Sequence, residues 1–254
     1  MCSGMSNPRK FGACYLRKGS GRPMFQHKKE FLHPVRVERA NPRYAAMLQE
    51  QLGGANGELK AAMQYLSQSF RIQNPEIKDL FLDIASEELS HMEMVAQTIS
   101  MLNGHTLDAA HAAGELETHV MLGLSPGLMN ASGYSWTADY VSVTGDLCAD
   151  LLSNIASEQR AKVMYEYLYR QIDDKYVKET IDFLLNREEA HNALFREAFN
   201  KVRDTGSNVS FGVTRDSRLY FDLNDSDKKG DCCCGDTVGT QPVGFERSDC
   251  GCRQ

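Results

Sequence analysis

The chain has 254 residues, of which 42% are hydrophobic and 24% are charged, and its formal net charge is −6 at pH 7. This is the composition of an ordinary soluble globular protein with one main domain. The mild charge, the lack of a Lys/Arg-rich stripe with aromatics and the lack of a long apolar run argue against nucleic-acid and membrane partners. The N-terminus has no continuous apolar secretory segment, so we expect synthesis in the cytoplasm.

The eight cysteines are unevenly distributed. Cys148 is central, and Cys2 and Cys14 lie near the N-terminus. The other five lie near the C-terminus: Cys232, Cys233, Cys234, Cys250 and Cys252. The CCC and CGC spacings match neither a disulfide framework nor the CxxC pairs of a zinc site. The pattern is typical of a disordered tail, and the alternative is a tail that cross-links chains under oxidising conditions.

Residues 1–40 show no clear hydrophobic period and are interpreted as an extended arm. Asn41-Pro42 then predicts a helix start, with Asn as N-cap and Pro in the first turn. Helical spacing continues to about Gln73 through Leu48, Leu52, Ala55, Leu59, Met63, Leu66 and Phe70. We therefore expect one unbroken first helix.

Asn74-Pro75 repeats the start signal, and Asn103-Gly104 is a good C-cap for a second helix. The stretch 104–136 is rich in Gly, His, Ser and Pro and too long for a turn, which indicates a crossover connection.

A third helix is predicted from about Thr137 or Gly145 to Ile172. Asp173-Asp174 can cap a fourth helix that runs to about Arg203. Two short connections and one long one, between helices 2 and 3, predict an all-α fold, a ferritin-like four-helix bundle over residues 41–203. Residues 204–254 are expected to form an irregular, Cys-rich tail, with regular structure at most around RLYFDL.

Two Glu-x-x-His pairs interrupt otherwise apolar helical stripes. Glu88 and His91 lie in the second helix, and Glu188 and His191 lie in the fourth. The i,i+3 spacing places both side chains of a pair on one helix face. Apolar residues one turn to either side make a surface location difficult to sustain, so we expect all four side chains to be buried.

The first and third helices supply matching carboxylates. Glu58 and Glu158 lie on the apolar stripes of these helices, and 30 positions separate Glu58 from Glu88 and Glu158 from Glu188. The two halves of the chain therefore repeat one plan, with Glu on the first helix of a hairpin and Glu-x-x-His on the second.

Four carboxylates and two imidazoles in an apolar core require compensation, because even one unpaired buried charge costs several kcal/mol. Glu and His can satisfy one another by hydrogen bonds, but two divalent or trivalent cations compensate the charge more fully. The same donor set occurs in di-iron and di-manganese carboxylate bundles. Oxygen and nitrogen donors without thiolate suit either manganese or iron.

Four segments of the sequence resemble the manganese catalase family, and especially its spore-coat-associated branch. They are LQEQLGGANGELKAAMQYLSQ, LFLDIASEELSHMEM, the Gly-Asp-Leu-Cys-Ala-Asp stretch leading to NIASEQRA, and FLLNREEAHNALF. The resemblance covers about residues 24–225. It implies two manganese ions per chain and the disproportionation of hydrogen peroxide to water and dioxygen.

The resemblance also implies roles for individual residues. Glu58 and His91 would be terminal ligands of one manganese, Glu158 and His191 of the other, and Glu88 would bridge the two. Glu188 would be the general acid and base beside the bridging solvent, and Tyr65 would orient a ligand. Some family members have Arg immediately before the third-helix ligand, whereas this chain has Ser157, which changes the charge expected beside the site.

A second ion site is also suggested by likeness to family members that bind calcium at an interface. Its ligands would be hard oxygen donors: Asp79, Asp83, Asp222 and Asn224. A solvated acidic face explains the same residues.

The resemblance further implies a homohexamer and, for the spore-coat branch, other coat proteins as partners and a spore-coat location. Two alternatives stay open on the residues alone. One is a di-iron oxidase or peroxidase on the same bundle. The other is a structural coat protein that uses the bundle as a building block and the cysteine tail as a cross-linker.

Overall fold

The computed structural model describes residues 30–104, 125–204, 219–220 and 241–242. It divides into two compact units, Met1–Asn208 and Val209–Gln254. In the second unit, the described residues form two short antiparallel strands, β1 (Leu219–Tyr220) and β2 (Gln241–Pro242). β1 lies in the RLYFDL stretch, where regular structure was expected if anywhere in the tail.

The first unit is a four-helix bundle, as predicted. Its helices are α1 (Pro42–Gly53), α2 (Glu58–Ser69), α3 (Pro75–Asn103), α4 (Leu147–Gln171) and α5 (Lys175–Asp204). Both α1 and α2 pack along the much longer α3, so together they form the first helix of the bundle, and α4 packs along α5. None of the helices in the described ranges is both long enough and apolar enough to cross a membrane.

The prediction of one unbroken first helix was wrong. The helix stops at Gly53 and restarts at Glu58, Ala55 is exposed, and Phe70 lies beyond the end of α2 with 67% of its surface exposed. At the break the backbone of Gly57 lies so close to Gln51 that a Cβ on Gly57 would be 2.5 Å from the carbonyl oxygen of Gln51. Only glycine permits that approach, and it places Glu58 at the first position of α2.

Gly57→Ala is expected to destabilise the protein by about 1–3 kcal/mol, the usual range for overpacking. It should also weaken binding of the metal pair that the sequence predicts, because the displaced backbone carries Glu58. Thermal unfolding and metal content after desalting measure the two effects. A variant that keeps both wild-type values would show that the break can open without moving Glu58.

The other helix starts follow local capping chemistry. Asn74 Oδ1 accepts hydrogen bonds from the amides of Glu76 and Ile77 at the start of α3. Of the two predicted starts for the third helix, the later one is close, since Asp146 caps α4 through the amide of Ala149.

The described part of the crossover, residues 125–146, is held against the first helix by glutamine side chains. Gln49 Nε2 donates to the carbonyls of Gly127 (2.7 Å) and Met129 (2.9 Å). Gln64 Oε1 accepts a hydrogen bond from the Ser142 amide, and Gln68 Nε2 donates one to the Ser142 carbonyl. The crossover thus covers α1 and α2 through hydrogen bonds that replace those lost to water on burial.

Two apolar clusters occupy opposite parts of the bundle. The first joins α1 to the second half of α3 and includes Leu48, Leu52, Met94, Ile99, Tyr165 and Leu184. The second joins α2 to the first half of α3 and includes Tyr65, Phe81, Ile84, Leu151 and Phe195. The buried polar residues described next lie between these two clusters, and each of the four helices of the bundle contributes at least one of them.

Candidate metal centre

The structure brings together all six residues that the repeated plan singled out. Their side chains lie between the two apolar clusters, and each is at most 3% exposed: Glu58, Glu88, His91, Glu158, Glu188 and His191. The burial expected from the helical stripes is therefore observed. Ligand atoms of four of them lie within 4.8 Å of one another: Glu88, His91, Glu188 and His191.

Glu88 lies between the two imidazoles. Its Oε2 is 3.2 Å from Nδ1 of His91, and its Oε1 is 2.7 Å from Nδ1 of His191. The two imidazole rings stack with centroids 5.6 Å apart. Both rings thus direct Nδ1 toward the same carboxylate.

Two of the other three glutamates, Glu58 and Glu158, are each paired with a tyrosine of the other hairpin. Tyr65 donates to Glu158 Oε1, and Tyr165 donates to Glu58 Oε1, with all four side chains buried. The second oxygen of Glu58 lies 3.7 Å from His91 Nδ1, and that of Glu158 lies 3.7 Å from His191 Nδ1. Tyr165 was not singled out from the sequence, although it follows Glu158 by the same seven positions that separate Tyr65 from Glu58.

The electrostatics of this layer favour a cation. Burial and the neighbouring Glu88 raise the pKa of Glu58 to about 8, and burial with Glu88, Glu58 and Glu158 raises the pKa of Glu188 well above its usual value. Burial opposes protonation of His191, yet Glu88 and other carboxylates outweigh it and raise the pKa to about 12. Protons are therefore strongly attracted into the layer, and a metal ion would experience the same field.

The donor set fits a pair of metal ions. Two buried carboxylate oxygens that face this layer have no hydrogen-bond partner: Glu158 Oε2 and Glu188 Oε1. Buried polar atoms in proteins are normally satisfied, so unpaired carboxylate oxygens in this layer point to a ligand. Carboxylate oxygens with imidazole nitrogens are donors that suit manganese and iron.

Glu87 contacts both histidines and Arg187 binds Glu87, and sequence reasoning singled out neither residue. Glu87 lies 3.4 Å from His91 Nε2 and 3.2 Å from His191 Nε2. Arg187 donates to both Glu87 oxygens, at 2.6 Å from Nε and 3.2 Å from Nη2. Burial opposes ionisation of Glu87, but the imidazoles and Arg187 outweigh it and hold its pKa well below the usual value.

A buried lysine lies beside Ser157, where the resemblance noted a missing arginine. Lys60 is 4% exposed and donates to Ser157 Oγ over 2.8 Å. Burial, with nearby Arg160, lowers the pKa of Lys60 to about 8. A cation from α2 thus lies next to the position where some family members place one on the third helix.

A cavity of about 370 Å³ opens between α4 and α5. Its lining includes Glu158 and Glu188, which are buried, and Lys162, Glu189 and Arg196 nearer the surface. Lys162 donates to Glu189 at its rim. The cavity therefore leads from the protein surface to two carboxylates of the buried layer.

Only two of the four residues suggested for calcium lie in the described part of the chain. Asp79 and Asp83 are exposed on α3. They do not belong to the buried cluster of Glu88, His91, Glu188 and His191. Asp222 and Asn224 lie outside the described residues. The calcium site stays a prediction.

Several known proteins with similar sequences are named as manganese catalases. A family model described as manganese-containing catalase matches residues 24–221. A "Probable manganese catalase" of Clostridium acetobutylicum is 70% identical over 204 residues, which cover 79% of this chain and 91% of that protein. "Protein CotJC" of Bacillus subtilis is 36% identical over 182 residues, covering 71% and 96% of the two chains.

A solved structure has the same fold. The wild-type manganese catalase KatB from Anabaena superposes with a TM-score of 0.73 at 37% sequence identity, covering 86% of this chain and all of the KatB chain. Because the family model spans most of the chain and the relatives are matched over nearly their full length, the assignment covers the bundle and its buried layer together. The chain belongs to the manganese-containing catalase family.

Proposed function

We propose that this protein disproportionates hydrogen peroxide to water and dioxygen, with two manganese ions held by Glu58, His91, Glu88, Glu158 and His191. The observation that carries the proposal is the convergence of these buried donors, with the Oε2 atom of Glu158 left without a hydrogen-bond partner, in a chain of the manganese catalase family. Glu88 would bridge the two ions, because its two oxygens face the two imidazoles separately.

When bound, the manganese pair supplies the two-electron redox chemistry, which oxidises one peroxide to dioxygen and reduces a second to two waters. The first half-reaction releases two protons, and the second consumes two. The protein must therefore hold protons close to the reacting oxygens between the halves.

Glu188 is the residue proposed for that task. Its Oε1 is buried without a hydrogen-bond partner and lies 4.0 Å from His91 Nδ1, and its side chain lines the cavity from the surface. A carboxyl group with a raised pKa in such a place can accept and return protons. The cavity supplies the route by which peroxide, a very small molecule, would reach it.

Tyr65 and Tyr165 are proposed to orient Glu158 and Glu58. Each hydroxyl donates to one oxygen of its glutamate and leaves the other oxygen directed at an imidazole. This reciprocal arrangement holds a terminal carboxylate on each side of the layer in a fixed rotamer.

Removal of metal by a chelator is expected to abolish peroxide turnover, and manganese alone should restore it. The measurement is dioxygen release from peroxide in an anaerobic cell, together with metal analysis of protein purified without added metal. One dioxygen should form for each two peroxides consumed. Restoration by iron, or peroxide consumption without dioxygen, would contradict the proposal and favour an iron oxidase or peroxidase.

Assembly, location and the calcium site are further proposals that stand on family likeness. We propose a homohexamer, and the molar mass from light scattering tests it. We also propose a location in the spore coat with other coat proteins, and fractionation of spores tests that location. The C-terminal cysteines lie outside the described residues, and electrophoresis with and without thiol reductant tests whether they cross-link chains. Metal analysis of an Asp79→Asn, Asp83→Asn variant tests calcium binding.

A further inference from the structure

Glu87 divides its two carboxylate oxygens between the two histidines. Its Oε1 lies 3.4 Å from His91 Nε2, and its Oε2 lies 3.2 Å from His191 Nε2. Within the described residues, no other carboxylate is recorded at ion-pair distance from either Nε2. The two Nε2 atoms lie on the sides of the rings that face away from Glu88, since both Nδ1 atoms face Glu88. Each imidazole is therefore held between a carboxylate on its inner side and Glu87 on its outer side.

Arg187 fixes the plane of the Glu87 carboxylate. Its Nε donates to Oε1 over 2.6 Å and its Nη2 donates to Oε2 over 3.2 Å. A guanidinium that binds both oxygens of a carboxylate sets its orientation as well as its position. Because Glu87 belongs to α3 and Arg187 to α5, the pair also links the two helices that carry the histidines.

The repeated plan of the chain explains why one carboxylate can serve both rings. Positions 58, 65, 88 and 91 have counterparts 100 residues later, and the tyrosine contacts are reciprocal between the halves. Position 87 corresponds to position 187 in the same way. These two side chains touch each other, so they lie near the axis that relates the halves. Two glutamates there would repel one another, and the chain instead has Glu on one helix and Arg on the other.

We propose that Glu87 and Arg187 are positioning residues that orient both histidines together, so that each Nδ1 is presented to the metal pair. The inference rests on the proposed ligand set. A carboxylate that accepts from the distal nitrogen of a metal-bound imidazole fixes its tautomer and increases its basicity as a ligand. Here one carboxylate would do so for both ions, and a change at Glu87 would affect both halves of the centre at once.

Glu87→Gln is expected to weaken manganese binding by about 10–100-fold, the usual effect of losing such a partner. The measurements are competition for manganese with a chelator of known affinity and the electron paramagnetic resonance spectrum of the divalent manganese pair. The spectrum should change in the variant even at saturating manganese. The unfolding midpoint of the metal-free protein should stay within about 3 °C of wild type, because a partly exposed ion pair contributes little to stability.

The matched control is Glu76→Gln. Glu76 also pairs with a cation of α5, Lys201, but both side chains are largely exposed and neither contacts a histidine. It should leave manganese affinity and the spectrum unchanged. Wild-type affinity and spectrum in Glu87→Gln would overturn the inference while leaving the proposed function intact. Failure of the wild-type protein itself to bind manganese would instead contradict the proposed function.

A charge exchange gives a second measurement. Arg187→Glu alone places two carboxylates together and should reduce manganese affinity, whereas Arg187→Glu combined with Glu87→Arg restores one carboxylate and one guanidinium near the axis. We expect the double variant to recover at least tenfold in affinity over Arg187→Glu. A double variant that binds manganese no better than that single variant would show that the carboxylate cannot serve both rings from α5, and would contradict the axial placement.

Discussion

Glu188→Gln is expected to retain two manganese ions per chain and to lose about 10²–10⁴-fold in dioxygen release, the usual contribution of a general acid and base. The amide keeps the size of the side chain but cannot take up and return protons at neutral pH. The affinity for metal should change little, since five other donors remain. Metal analysis and steady-state oxygen release on the same preparation test both halves of the expectation.

The control for this variant is Glu197→Gln. Glu197 is an exposed carboxylate on the same helix, away from the buried layer, and its amide variant should have wild-type turnover and metal content. Full activity in Glu188→Gln would contradict its proposed role as a proton carrier. Loss of manganese in that variant would show that Glu188 binds metal directly, in keeping with its place among the four clustered donors.

Glu88→Ala is expected to lose both manganese ions and all measurable turnover. Glu88 is the carboxylate that approaches Nδ1 of both histidines most closely, at 3.2 and 2.7 Å. Its removal takes a donor from each ion and also removes the charge that holds the two together. Metal content after desalting is the direct measurement.

Thermal unfolding gives an independent measurement of the Glu88 variant. A ligand that binds only the folded state at about 100 times its dissociation constant stabilises a protein by about 2.7 kcal/mol. Manganese should therefore raise the unfolding midpoint of the wild-type protein and leave that of Glu88→Ala unchanged. A variant that keeps two ions per chain, or that is still stabilised by manganese, would show that Glu88 does not bridge.

Most of the bundle could be predicted from local signals. The Asn-Pro starts, the Asn-Gly end of α3 and the spacing of apolar residues depend on interactions within a turn or two of helix, so they are visible in the sequence. The burial of Glu88 and His91 was predictable for a related reason, because the apolar residues one turn away on each side determine which face of α3 turns inward.

The break in the first helix was not predicted, because its apolar spacing continues through Ala55 as if the helix were intact. What ends the helix is the close approach of Gly57 to the carbonyl of Gln51, and a periodic pattern contains no information about such an approach. The break matters for function, since it makes Glu58 the first residue of α2 and aims it at the layer.

Lys60 is a similar case. Its charge suggests an exposed residue, yet its ammonium is buried against Ser157 of another helix. The sequence does contain the substitution of Ser157 for arginine, but only the packing of α2 against α4 shows that a cation lies beside it.

By itself, the sequence determined the repeated plan of glutamates and histidines, the four-helix arrangement and the family. Each of these depends on which residue types recur at fixed spacing along a single helix. The tertiary structure decided which side chains meet across helices: Tyr65 with Glu158, Tyr165 with Glu58, and Glu87 with Arg187 and both imidazoles. The physical reason is that helical periodicity specifies a direction around one axis, whereas contacts between helices depend on the relative height and rotation of two axes, which the packing of the whole core sets.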